Sequence, residues 1–110
     1  MQQAAELPRP HGEGPPVPPM WQAGLDAGAI EQLFADLTVA VEVLSVQGKA
    51  GAGQYASAEP LTLASARERL MSGEFPGVQI RYRFEDREWI DTLLRVAHGF
   101  RLVRCRVERT

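Results

Sequence analysis

From Val78 to Phe84 apolar and polar residues alternate without a break, Val-Gln-Ile-Arg-Tyr-Arg-Phe. This period-two pattern restricts the segment to a strand with one buried face. Residues 78 to 107 read as two consecutive hairpins, with turns at Asp86 to Glu88 and at His98-Gly99. The resulting three-stranded antiparallel meander carries one apolar face and one face with arginines around a tryptophan. An apolar sheet face needs a second layer to cover it.

The upstream chain offers that layer. Asp26 stands where it can cap a helix whose Ile30, Leu33, Phe34 and Leu37 follow the spacing of a single buried stripe. Leu37 to Val46 then alternates valines with Thr38, Ala40 and Glu42, which predicts a strand, although Leu37, Val41 and Leu44 would also continue a helical stripe. Residues 47 to 60, rich in Gly and Ala, predict a flexible connection. Thr62 can cap a second helix with Leu63, Ala66, Leu70 and Met71 on its buried side and Gly73 at its left-handed end. The expected fold class is α+β: a small, mostly antiparallel sheet of about four strands, three of them from the C-terminal meander, packed against two helices. Whether the first strand joins one edge of the meander or the other is left open by the pattern.

Register decides which side chains face the helices, because a one-residue slip turns a strand over. A two-residue turn at His98-Gly99 pairs Thr92 with Cys105, and a three-residue loop of Asp86, Arg87 and Glu88 pairs Tyr82 with Thr92. Together these choices predict an inner face of Val78, Ile80, Tyr82, Phe84, Ile90, Thr92, Leu94, Val103, Cys105 and Val107. The predicted outer face then holds Arg81, Arg83, Trp89, Leu93, Arg95, Leu102, Arg104 and Arg106, with Asp91 between Arg83 and Arg106. A first loop of two or four residues would instead turn Asp91 inward beside Tyr82.

Composition bounds the rest. Six of the eight prolines lie in the first twenty residues, a stretch too poor in apolar side chains to offset the entropy of ordering it. The expected organisation is a disordered Pro/Gly-rich tail over residues 1–20 and a single small domain over 21–110. The start lacks the basic and apolar regions of a secretory signal, and no apolar run reaches the ~20 residues needed to cross a bilayer. A single cysteine excludes an internal disulfide, so a cytoplasmic location and no membrane association are expected. Residues 1 to 77 hold four basic and nine acidic side chains, and residues 78 to 110 hold eight and five. The net negative charge thus conceals a basic C-terminal third, in which every basic residue is arginine.

Signatures of catalysis are weak throughout. Gly48-Lys49-Ala50-Gly51-Ala52-Gly53 lacks the Ser or Thr of a phosphate loop and no helix follows at once. Cys105 falls inside a predicted strand on the apolar side, where a thiol acts as a small hydrophobe. His11 and His98 have no clustered ligand partners, so neither metal nor cofactor is expected. The acids around the first hairpin, Glu85, Asp86, Glu88 and Asp91, fit a solvated turn and an ion pair. Overlapping Pro-x-x-Pro steps at Pro15 to Pro19 lack a flanking basic residue and read as a spacer.

The expected function is therefore a non-catalytic interaction module, an adaptor, accessory protein or small subunit rather than an enzyme. Its expected partner-binding residues are Arg81, Arg83, Trp89, Leu93, Leu102, Arg104 and Arg106, types enriched in binding hot spots. A protein partner or a second copy is the primary expectation. Nucleic-acid binding through the same arginines, with Trp89 stacking on a base, is the alternative; a small enzyme or ligand binder is the third. The same face also admits a plain reading, a solvated surface on which arginine stems cover leucines.

Overall fold

A computed structural model describes residues 20–49 and 61–107. In chain order these form β1 (Met20–Leu25), α1 (Ala27–Ala40), β2 (Glu42–Lys49), α2 (Leu63–Ser72), β3 (Gly77–Phe84), β4 (Arg87–Val96) and β5 (Gly99–Arg106). The strands make one sheet in the order β1-β5-β4-β3-β2, every neighbouring pair antiparallel. The class is α+β, as expected, with five strands instead of about four. The expectations for the N-terminal tail, apart from Met20, and for most of the 47–60 connection lie outside the described residues.

Both helices begin at their caps, and α2 also ends at one. Asp26 accepts a hydrogen bond from the Ala29 amide at 2.8 Å, and Thr62 accepts one from Ser65 at 3.0 Å, satisfying donors that a helix start leaves unpaired. Gly73 closes α2 at a φ of 87° and donates its amide to the Leu70 carbonyl at 3.2 Å. Arg95 of β4 reinforces that end, donating to the carbonyls of Leu70 at 2.6 Å and Met71 at 3.2 Å while lying over the Phe100 ring. Its cation thus meets the negative end of the helix dipole.

The predicted strand over Leu37 to Val46 is corrected at its start. α1 continues through Ala40, and the extended chain begins only at Val41. Leu37 completes the buried stripe of Ile30 and Phe34, and the Thr38 hydroxyl donates to the Phe34 carbonyl at 2.8 Å. Burial of Leu37 therefore outweighs the β preference of Thr38 and Val39, and Val39 is left 84% exposed on the helix. β2 pairs with β3 at one edge of the meander, with an irregularity between Val43 and Ser45. At the other edge β1, for which no strand was expected, adds to β5 and places Trp21, Ala23 and Leu25 on the helix side.

The first hairpin overturns the predicted register. Its loop is two residues, Glu85 and Asp86, with φ of 53° and 64°, the positive pair required by a tight turn that matches strand twist. Tyr82 consequently pairs with Trp89 and Ile80 with Asp91. In the second hairpin Val96 pairs with Gly99 and Thr92 with Val103. Partners there differ from expectation by two residues, which preserves the faces, whereas the odd shift in the first hairpin inverts β3 against β4. The core contains Val46, Val78, Ile80, Tyr82, Leu93 and Phe100 against Ile30, Phe34, Leu37, Ala66, Leu70 and Phe75, with Trp89 and Leu102 packed at its margin. Ile90, Thr92, Leu94, Val103, Cys105 and Val107 stand on the opposite side of the sheet, contrary to the predicted inner face.

Gly48 illustrates how tightly the layers meet. A Cβ at this position would lie 2.3 Å from the buried Phe75 ring, so the strand needs glycine there for packing. Replacing Gly48 with Ala is expected to cost about 1–3 kcal/mol through overpacking. Gly24→Ala, whose nearest neighbour would be a carbonyl oxygen at 4.0 Å, should change stability by less than about 0.5 kcal/mol. Denaturant melts of the two variants check this, and equal midpoints would contradict the packing.

Candidate functional site

The register places a polar cluster under the helix-side face. Asp91 in β4 is 0% exposed and would be costly to bury without partners. Its Oδ1 accepts the Tyr82 hydroxyl at 3.0 Å and Arg104 Nε at 2.8 Å, and its Oδ2 accepts Arg104 Nη2 at 2.8 Å. The forked contact is the strong geometry for an arginine and a carboxylate. Hydrogen bonding to Asp91 raises the Arg104 pKa against the opposing effect of burial. Burial, then the charge of Asp91, pushes the Tyr82 phenol well above its ordinary value. Tyr82 therefore stays a neutral donor.

Two tryptophans flank this cluster. Trp21 of β1 lies opposite Arg104, Trp89 lies opposite Tyr82, and their rings approach to 5.5 Å between centroids at 45°. The Trp89 Nε1 is buried and has no hydrogen-bond partner among the described residues, and the indole packs by its ring against Trp21. Chemically the arrangement is a clamp across β3, β4 and β5: both carboxylate oxygens are engaged, and the phenol has no tendency to release its proton near neutrality.

The seven residues expected to share one binding face are divided between two. Arg81 and Arg83 lie on the open side of the sheet, where Arg81 pairs with Glu88 and Arg83 with Glu42 at 3.3 Å. Trp89, Leu93, Leu102, Arg104 and Arg106 lie on the helix side, Leu93 wholly buried and Arg106 opposite Trp89. Asp91, expected between Arg83 and Arg106, is held by Arg104 instead. Cys105, expected inside, is half-buried on the open side. His98 is exposed in the second turn, and among the described residues no three His, Cys, Asp or Glu side chains gather as a metal site.

The open side carries a surface that the predicted register concealed. Three rows cross it from β1 to β2: Met20, Cys105, Ile90, Arg81 and Ser45; Gln22, Val103, Thr92, Gln79 and Gln47; Gly24, Arg101, Leu94, Gly77 and Lys49. Apolar side chains concentrate on β4 and β5. Gln79 donates across strands to Thr92 at 3.1 Å in the middle row, and Arg101 donates to Gln22 at 3.2 Å between β5 and β1, so polar groups flank the apolar side chains and reach the central strand at Thr92. A sequence signal existed in the alternation Ile90, Thr92, Leu94, but the opposite alternation Trp89, Asp91, Leu93 also holds two large apolar residues.

No family model, curated protein or solved structure matches this chain. No helix among the described residues is long and apolar enough to cross a membrane.

Removing one partner of the buried pair should be severe. Asp91→Ala is expected to destabilise the fold by about 3–5 kcal/mol, leaving Arg104 uncompensated, and Tyr82→Phe by about 1–3 kcal/mol. Because the folded state raises the Tyr82 pKa from its ordinary 10.0, the folded chain keeps a proton that the unfolded chain releases above that pH. Its stabilisation is complete below pH 10 or so and declines as pH rises further. Chemical denaturation from neutral to strongly alkaline pH should show that decline in the wild type and a shallower one in Tyr82→Phe. Identical slopes would contradict the burial of this phenol.

Proposed function

We propose that the domain is a non-catalytic protein-interaction module that meets its partner through the open face of the sheet. The observation that supports this reading is the set of apolar side chains Ile90, Leu94, Val103 and Cys105 around Thr92, with Val107 beyond the end of β5 and glutamines and arginines on the flanking strands. An apolar core within a polar rim is the anatomy of an interface, whereas a solvated antiparallel face ordinarily turns polar residues outward. Arg81 and Arg83 belong to the rim under this reading. Trp89, Leu93, Leu102 and Arg104 support the surface from behind by fixing the strands.

The buried cluster favours a structural role over catalysis, since Asp91 and Tyr82 are each committed to the clamp. Phosphate recognition is the weaker use of these arginines, because Arg81, Arg83 and Arg104 already have carboxylate partners.

Site-specific photo-crosslinking in the native host tests the surface. A crosslinker in place of Thr92 should yield a discrete adduct, and one in place of Glu68, exposed on α2, should not. Adducts from Glu68 alone, or none from Thr92, would contradict the proposal.

A further inference from the structure

We infer that the occupant of the open face is a second copy of this chain, packed sheet against sheet about a two-fold axis. The inference rests on the interaction reading above and names its partner.

Charge is the first argument. The rim arginines of β3 are neutralised within the chain, Arg81 by Glu88 and Arg83 by Glu42. A face whose β3 arginines are internally compensated makes little demand for a strongly charged partner. Its apolar stripe on β4 and β5 is complementary to another apolar stripe, and a two-fold axis brings the same patch on each copy together. Gln22, Gln47 and Gln79 share the middle row with Val103 and Thr92, so a stack of whole faces buries their amides too, each with a donor and an acceptor able to pair across the axis.

Area is the second. Five strands about 4.8 Å apart, each about eight residues long, present a face of roughly 600–700 Å² in projection. Side-chain relief makes the accessible area larger than the projection, comparable to the ~800 Å² per partner of a standard interface. Two such faces packed about 10 Å apart, with strands about 30° from alignment, would interdigitate as a β-sandwich. The dimer is then a four-layer arrangement, helices outside and two sheets within.

Cys105, the single cysteine of the chain, lies on this face and reports on its coverage. The test measures the mass of the full chain by sedimentation velocity and the rate of thiol labelling, both across a dilution series. Wild type is compared with Thr92→Lys and Val103→Lys, each shown to be folded by circular dichroism. A dimer is expected whose formation slows Cys105 labelling in step with the dimer fraction. Either lysine should shift the mass toward monomer and restore labelling.

A monomer with a reactive Cys105 at every concentration would overturn self-pairing while leaving the open face available to a different protein. A monomer whose folded-state thiol stays unreactive would overturn both readings, because the chain would then cover its own face. A dimer unaffected by both lysines would place the contact elsewhere and overturn the inference.

Discussion

A two-residue turn at Glu85 and Asp86 determines which face of β3 meets which face of β4, and the rest of the molecule depends on that choice. With both φ angles positive, the turn matches the twist of the strands it joins. It sets Ile80 opposite Asp91 and Tyr82 opposite Trp89. The layers of β3 and β4 follow from this closure, and the second hairpin carries them on to β5. Asp91 is the residue that responds most strongly: buried beside Tyr82 and Arg104 it has three hydrogen bonds. Replacing such a pair by hydrophobic residues is often neutral, yet breaking it is expensive. Its physical effect is therefore selective: a slipped strand that buried Asp91 away from Arg104 would leave an uncompensated charge, while hydrophobic contacts alone would discriminate little.

That lack of discrimination explains what was legible in the chain. Helix limits set by local chemistry could be read directly, as Asp26, Thr62 and Gly73 show, because caps act within a few residues. β3 was legible because Gln79, Arg81 and Arg83 mark its polar side. β4 is apolar on both sides, with Trp89 and Leu93 against Ile90 and Leu94, so its orientation follows from a turn and an ion pair that join distant positions. β1 was obscured for another reason: Gly24 and Ala23 carry little strand preference, and the segment is held by pairing with β5. The boundary between α1 and β2 moved because Leu37 gains more from the core than Thr38 and Val39 lose by entering a helix. The candidate binding residues fared as the register did, each correctly placed within its strand but assigned to a shared face that the turn divides.

The structure also redistributes the work of the arginines. On the helix side Arg95 closes α2 and Arg104 compensates Asp91; on the open side Arg81 and Arg83 compensate glutamates. These are different uses of the same planar cation, fixed by what each strand position faces. With Arg81 and Arg83 ion-paired and Arg101 bonded to the Gln22 amide, the apolar side chains of β4 and β5 are the feature of the open face that these contacts do not use. The proposed interaction function follows from that surface, and the clamp behind it supplies the rigidity that a defined contact requires.

The register is the central claim, and interstrand nuclear Overhauser effects test it most directly, since facing residues of an antiparallel pair bring their Cα atoms within about 4.5–5.5 Å. The structure requires backbone contacts of Arg81 with Ile90 and of Gln79 with Thr92. Contacts of Arg81 with Leu93 and of Arg83 with Asp91 would instead show β3 turned over, with Asp91 outside the core, and would contradict the account.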